Sequence, residues 1–366
     1  MRVGIALACD AADALGLARH NRAAWHLMEI LRKGAGVERV VIVDTLVHPS
    51  GTGWPGDLDI LAAADAVECC DLIIAVGEDV ALAAIARLRA RGGRYVLFLA
   101  ENPYARLVEL SLFERGAQFG PTQCHDEIWT FEAFRRHDAI LQTIYRCPVQ
   151  FVPLVWSASV IEEHDRVHQG PGFVLPYARR AGGSLRCVIN ESNSSAKSMG
   201  VLPLLAVNRF HVENPGAIAR VEFRNGRHLP NQLTFNFIAA NCEVHQQGLL
   251  TIWSDQDFYQ FLPLKADFVF SHNLDGEVEF DHLDAVFGGY PLLHNVSALS
   301  DLGYCYKGGD IDQAIGLLRA MVLGDPANFD ADLRESRRRL ARFDVENRDN
   351  IAAYNKALLN ICAQVA

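Results

Sequence analysis

The chain has 366 residues, which at roughly 150 residues per domain predicts two domains with some linker or terminal helix left over. Lys and Arg number 34 against 44 Asp and Glu, and the resulting formal charge of −10 argues against a general binder of nucleic-acid backbones. Hydrophobic residues make up 50% and charged residues 21%, the composition of an ordinary globular protein and not of a disordered one.

The first half alternates short β-branched runs with helical stretches. Val3 to Ala8, Val40 to Asp44, Leu72 to Val76, Tyr95 to Leu99 and Val149 to Val152 read as strands, and their near-continuous apolar character implies a buried parallel sheet. Asp10 and Asp13 cut the first apolar run below the length of a signal-peptide core, so it is read as a strand. Asn21 to Lys33 places Ala24, Leu27, Met28 and Leu31 at helical spacing, with Gly34 as a stop. From Trp156 to Gly183 a polar helical piece, Val160 to Gln169, leads into Gly170-Pro171-Gly172, Pro176 and Gly182-Gly183, which reads as an interdomain connection. A second series of strands follows: Leu185 to Asn190, Ala219 to Phe223, Leu233 to Ala240, Leu249 to Trp253, Asp267 to Ser271 and Pro291 to His294. A helix from about Glu279 to Phe287 is stopped by Gly288-Gly289. Asp330 to Ala366 is helical in composition and is expected to pack back across the domains.

Apolar runs such as Val201 to Val207 fall far short of the ~20 residues that cross a bilayer. The nine Cys contain no C-x-x-C pair and are odd in number, which suggests neither a disulfide framework nor a zinc module and fits a reducing cytoplasm. After the first strand, Cys9 to Gly16 holds a single Gly, so the G-x-G-x-x-G dinucleotide fingerprint is missing, and no G-x-x-x-x-G-K-[ST] occurs. Asp44 is therefore read as a loop-entry or cap residue and not as a ribose-binding acid. Ser194 to Lys197 matches S-x-x-K without its companion motifs and is read as chance.

In open parallel sheets ligands bind beyond the carboxyl ends of the strands, so two such domains imply a cleft between them. In the second series, a strand ending at Asn190-Glu191 runs into Ser192-Asn193-Ser194-Ser195, then Lys197 and a helix. Loop amides, hydroxyls and a Lys at a helix start suit an anionic phosphate, although a Ser N-cap with a solvated Lys accounts for the same pattern. The strand Asp267 to Phe270 delivers Ser271-His272-Asn273 to the same edge, the next ends at His294-Asn295, and the intervening helix carries Asp284. In the first series His20-Asn21 and Glu101-Asn102 follow strands and face the expected cleft, with turn and cap chemistry as the competing explanation.

Four D-x-D triplets, at 57, 255, 310 and 330, sit near helix starts and are read as caps, so no metal is required. His164 and His168, four apart among charges, are read as a solvated helix face. The basic cluster Arg334, Arg337, Arg338, Arg339 and Arg342 is read the same way, with peripheral contact to an anionic lipid headgroup or lipid-linked acceptor as the alternative.

This ordered set resembles the GT-B glycosyltransferases, and specifically a bacterial glycosyltransferase-like family of unknown function. The likeness is carried by Cys70-Asp71-Leu72-Ile73-Ile74, His125-Asp126-Glu127-Ile128-Trp129-Thr130, Pro148-Val149 with Val152-Pro153-Leu154-Val155-Trp156, and Tyr290-Pro291-Leu292-Leu293-His294-Asn295 with Gly303-Tyr304-Cys305-Tyr306. The resemblance implies two Rossmann-like doubly wound α/β domains facing a cleft, a nucleotide-sugar on the second domain and a C-terminal helical segment crossing back. Asp284, before Gly288-Gly289-Tyr290-Pro291, looks like the acid that holds the donor ribose in many retaining members. The partner Glu falls on Gly276, with Glu277 and Glu279 off register, which leaves retaining and inverting outcomes both open. Lys197 resembles the basic residue that neutralises a donor diphosphate, but no companion Arg is evident.

The expected layout is an N-terminal acceptor-side domain at 1–155, a connection at 156–183, a nucleotide-sugar domain at 184–330, and helices at 331–366 packing on the N-terminal domain. The expected activity is a cytoplasmic, metal-independent, hexosyltransferase-like glycosyltransferase without a cofactor, moving a sugar from a nucleotide-sugar to a glycan, lipid-linked or protein acceptor. A nucleotide-sugar epimerase and a non-catalytic glycan- or nucleotide-binding relative are the alternatives. The candidate catalytic residues are Glu101 and His272, with Asp126 and Glu127 as further candidates for the base. Donor-binding candidates are Asn190, Ser194, Lys197, Ser271, Asp284, His294 and Asn295; acceptor-side candidates are His20, Asn21 and Asn102.

Overall fold

The computed structural model describes residues 1–7, 19–45, 58–77, 79–112, 124–168, 183–191, 195, 197–254, 257–274, 276–324 and 326–363. Two compact units emerge: Met1–Glu163 with Arg342–Ala366, and His164–Ala341.

The first unit is built on seven strands, β1 (Arg2–Leu7), β2 (Arg39–Asp44), β3 (Ile60–Ala62), β4 (Leu72–Val76), β5 (Arg94–Leu99), β6 (Glu127–Phe131) and β7 (Val149–Val152). They are ordered β3-β2-β1-β4-β5-β6-β7, and every pair is parallel. Helices cover such a sheet on both faces, so β4 is apolar and buried over its whole length, and β1, β2 and β5, each opening on an Arg, are buried after that first residue and apolar apart from Asp44 at the end of β2. Packing is close enough that a Cβ on Gly4 would stand 2.7 Å from a methyl of Val43.

The second unit repeats the plan with β8 (Leu185–Ile189), β9 (Ile218–Phe223), β10 (Leu250–Ile252), β11 (Phe268–Phe270), β12 (Leu292–His294) and β13 (Tyr304–Cys305). Its order is β10-β9-β8-β11-β12-β13, again all parallel. In each sheet the winding direction reverses beside the first strand, which puts the topological switch points at β1/β4 and β8/β11. The doubly wound α/β class expected from the sequence is thus present in both units. Among the described residues no helix is long and apolar enough to cross a membrane.

Several elements differ from the sequence reading. Leu233–Ala240 is a helix and not a strand. Its Leu-Thr-Phe-Asn-Phe alternation fits period two, but Phe235 and Ala239, four apart, are the pair that packs inward, with Phe235 edge-on to Phe223 at 5.9 Å. Leu233 and Phe237 are left 88% and 72% exposed. The short strands β3 and β13, and β6 within His125 to Phe131, lay below the length or the alternation that marks a strand. His164 is buried and its Nε2 lies 2.5 Å from Asp257, so it is not part of a solvated face.

The expected helical tail at 331–366 divides. The helix Pro326–Arg339 stays with the second unit, because Arg337 donates to the Phe287 carbonyl, Arg339 donates to the Asp301 carbonyl, and the Ser336 hydroxyl accepts from the Gly303 amide. The chain rejoins the first unit at Arg342. There the Trp156 amide donates to Phe343, and the buried Tyr354 donates to the Pro153 carbonyl and meets Trp129 edge-on.

Gly200 opens the helix Val201–Glu213 directly over Phe223 in the second core, where a Cβ would fall 2.1 Å from the ring. Overpacking of this kind costs about 1–3 kcal/mol. Gly200→Ala is therefore expected to lower the denaturant midpoint of the second unit, and an unchanged midpoint would show that the Phe223 ring yields freely.

Candidate functional site

The carboxyl ends of β8 and β11, at the switch point of the second sheet, present Asn190-Glu191 and Ser271-His272-Asn273 side by side. The loop after β8 then pairs with the segment after β11: Ser198 and Asn273 form an antiparallel bridge, the Leu274 amide donates to Lys197, and the Met199 amide donates to His272. The helix Phe280–Gly288 starts beside them with Glu279 as its N-cap and ends on Gly289, whose φ of 80° suits glycine.

Glu191 is the centre of this edge. One carboxylate oxygen accepts from the Ser271 hydroxyl and, at 3.0 Å, from the His272 amide; the other accepts from the Ser198 hydroxyl at 2.6 Å. Ser271 is in turn 2.7 Å from Nε2 of His282, while Nδ1 of His282 accepts from the Glu279 amide. That acceptor role places the proton of the neutral ring on Nε2, so the chain of donation runs from His282 to Ser271 to Glu191. Burial pushes the Glu191 carboxyl up to about 7; the hydrogen bonds from Ser198 and Ser271 oppose the shift and the nearby Glu279 charge adds to it.

His272 is buried with Nδ1 2.7 Å from the Tyr306 hydroxyl, and burial holds its pKa below the usual histidine value. Asn190 accepts from Arg224 at 2.6 Å and donates to Asp281 at 3.1 Å, and Arg224 also reaches Asp281 at 3.2 Å. Lys197 is held by two carboxylates, Glu277 at 3.1 Å and Glu279 at 3.2 Å. Four of the expected donor-side or catalytic residues, Asn190, Lys197, Ser271 and His272, are therefore brought to one edge.

Others are placed differently. Asp284 has no exposed surface, and its carboxylate accepts from the Tyr259 hydroxyl inside the unit. His294 is fully buried; Nε2 donates to the Leu302 carbonyl, Nδ1 accepts from the Val296 amide, and burial drives its pKa down to about 3. It is a neutral core histidine, and a direct donor contact is not available to it. Asn295 exchanges two hydrogen bonds with the Asn273 backbone and so fixes the end of β11. Ser194 lies outside the described residues. Residues at this edge to which the sequence reading assigned no site role are Arg224, Ser198 and His282, together with Tyr306, which entered only as part of the family likeness. Arg224 was within reach of the strand-end rule, since it follows β9 directly.

In the first unit Asn102 is buried and caps the helix Pro103–Leu112 by accepting from the Tyr104 and Ala105 amides, which is the cap chemistry that competed with an acceptor role. Glu101 is half-buried beyond β5, and Asn21 is buried in the helix Arg19–Leu31. His20 stands against Gly77 at the end of β4, where a Cβ would touch its ring at 3.4 Å. Asp126 and Glu127 are at the amino end of β6, bound to Arg89 and to the Trp129 indole respectively, and so are removed from the carboxyl edge where a base would be needed. Asp79, Cys124 and His125 bring three possible metal ligands within 4.8 Å of one another. The thiol, however, lies 3.4 and 3.6 Å from both ring nitrogens, hence over the ring face, while Nε2 already meets Asp79 at 2.8 Å. That geometry is packing and not convergence on an ion. Of the D-x-D acids, Asp257 and Asp310 accept from helix amides as caps.

Glu191 supplies a pH test. Its folded-state value lies above that of an exposed carboxyl, so the folded protein binds an extra proton between the usual carboxylate range and about 7. The stability tied to that proton is lost as pH rises through this window. Gln can keep the acceptor for His272 and donate to Ser198. Glu191→Gln is therefore expected to gain on the wild type in unfolding midpoint between about pH 5 and about pH 8; parallel pH profiles would contradict it.

A family model described as "Protein of unknown function (DUF2827)" matches residues 3–358. No curated protein matches the chain in sequence. Among solved structures, Anabaena Alr3699/HepE in complex with UDP and glucose is similar over 99% of both chains, with a TM-score of 0.54 and 10% identity. A UDP-forming alpha,alpha-trehalose-phosphate synthase from Burkholderia xenovorans is similar over 100% of this chain and 99% of its own, at 0.55 and 11%. An E. coli structure described as trehalose-6-phosphate bound with UDP-2-fluoro glucose gives 99% of both chains, 0.54 and 12%. At these identities the likeness establishes the fold, which is that of the GT-B glycosyltransferases.

Proposed function

This chain belongs to the DUF2827 family, and we propose that it is a glycosyltransferase that moves a sugar from a nucleotide-sugar to a glycan, lipid-linked or protein acceptor. The observation that carries the reading is the polar edge at the β8/β11 switch point, where Lys197, Asn190 and Ser271 meet the start of the helix Phe280–Gly288 and His272 follows Ser271. In an all-parallel sheet this is the place at which a nucleotide binds. The UDP-containing structures with the same fold agree with a nucleotide-sugar as the ligand class.

The leaving nucleoside diphosphate needs positive charge. In this reading Lys197 and Arg224 supply it together with helix and loop amides, without a metal or other cofactor. Arg224 fills the place of the companion base that the sequence left open. Glu101 and His272 remain the candidates for proton transfer to and from the acceptor, and His20 and Asn21 for acceptor contacts; the free thiols of the described cysteines suit a cytoplasmic setting.

A thermal-shift screen against UDP, GDP, CDP and TDP and their common sugars tests the reading, because a ligand that binds only the folded state raises its apparent stability. At least one nucleotide should raise the midpoint, and donor turnover should depend on an added acceptor. Consumption of donor without acceptor would favour an epimerase, binding without turnover a non-catalytic relative. Lys197→Ala should weaken the nucleotide that scores by about tenfold, the loss of one charge-assisted contact; calorimetry giving an unchanged affinity would remove Lys197 from the site.

A further inference from the structure

The two features that would hold a phosphate at this edge, the Lys197 ammonium and the amino end of the helix Phe280–Gly288, are both engaged by one side chain of the protein itself. Glu279 is the N-cap: its carboxylate accepts from the His282 amide, and the imidazole of His282 accepts from the Glu279 amide in return. The same carboxylate takes the Lys197 ammonium at 3.2 Å. An anion at a helix start, bridged to a lysine, is the arrangement in which phosphates are bound, and here a glutamate occupies it.

We propose that Glu279 is an internal stand-in for the donor's phosphate, and that nucleotide binding displaces it from Lys197. The inference rests on the donor-site reading above and adds a gate to it. Lys197 is otherwise well fixed: the Leu274 amide donates to its carbonyl, and Ser198 beside it bridges Asn273. Its second carboxylate, Glu277, keeps only 2% side-chain exposure, whereas Glu279 keeps 27%. Glu279 is thus the partner that can swing into water at little desolvation cost, while Glu277 stays with the ammonium. Releasing Glu279 opens one side of the ammonium and the helix start together. The apparent affinity of the wild type is lowered by the fraction of molecules in which the contact is open.

Calorimetry with UDP, GDP, CDP, TDP and inorganic pyrophosphate as probes, on wild type, Glu279→Gln and the double variant Lys197→Ala/Glu279→Gln, separates the possibilities. Gln can still accept from the His282 amide, so the cap is kept while the negative charge facing Lys197 is removed; Glu279→Ser, a neutral cap of another shape, serves if Gln does not fold. Glu279→Gln is expected to bind the responding probe about tenfold tighter than wild type, with the gain absent from the double variant. A nucleotide that binds the variant and not the wild type supports the gate more strongly still. Wild-type binding that Glu279→Gln leaves unchanged or weakens overturns the gate and leaves the donor site standing. A gain that persists without Lys197 overturns it as well. Silence of wild type and both neutral variants towards every probe overturns the donor-site reading, and the gate falls with it.

Discussion

The carboxyl edge of the second sheet depends on one buried carboxyl group, that of Glu191. Glu191 receives hydrogen bonds from Ser198 in the loop after β8 and from Ser271 and His272 after β11, and through Ser271 it is linked to His282 in the following helix. Three separate stretches of chain are positioned by one side chain. The His272 amide cannot rotate away, so any replacement that lacks an oxygen there leaves a buried N–H unsatisfied. The raised pKa of Glu191 is the other side of the same fact: the carboxyl is kept for its geometry in a place that disfavours its charge.

All-parallel sheets divide their polar residues by end, and the amino ends show what structural acids look like here. Asp71 precedes β4 and accepts from the Arg2 amide of β1 at 2.8 Å; Asp126 precedes β6 and accepts from the Tyr95 amide of β5 at 2.7 Å; Asp267 precedes β11 and accepts from the Arg186 amide of β8 at 2.8 Å. One device recurs three times across both units: an Asp just before a strand satisfies an amide at the start of its neighbour, which the parallel ladder leaves unpaired. Two of the sequence segments that carry the family likeness, around Asp71 and around Asp126, are of this kind. They bear on strand pairing, at the edge opposite the one where Glu191, Ser271 and His272 lie.

Much of this was legible in the sequence because parallel strands are buried on both faces and so read as apolar runs: most of the principal strands, the helix before Gly288-Gly289 and the polar ends Asn190-Glu191 and Ser271-His272-Asn273 stand out. Leu233–Ala240 misled because a helix that buries only every fourth residue and exposes Leu233 and Phe237 mimics alternation. The site was harder, since residue type alone does not tell direction. His272 and His294 both lie at strand ends and both are buried, yet the first pairs with the Tyr306 hydroxyl and the second bonds to the Leu302 carbonyl and the Val296 amide. Arg224 could be found as a polar strand end, but its partners Asn190 and Asp281, like the contact of His282 with Ser271, depend on which elements lie side by side, and the order β10-β9-β8-β11 is a property of the fold and not of local pattern.

The charges at this edge bear on how an anion would be received. Two cations, Lys197 and Arg224, face Glu277, Glu279 and Asp281, and each is already in contact with at least one of them. Arg224 is buried and stacked 5.1 Å from the Phe258 ring, so its place is fixed by packing as well as by charge. Lys197 has a flexible stem and pairs with carboxylates of unequal burial. On the proposed reading a ligand phosphate would meet a rigid guanidinium held by Asn190 and Asp281, and an ammonium of which one partner, Glu279, is able to change. Specific orientation is the natural task of the first and admission of charge that of the second, a division that follows from guanidinium and ammonium chemistry. On that division the response of the edge to an anion is set by the carboxylates around Lys197, while Arg224 would hold its position in both states.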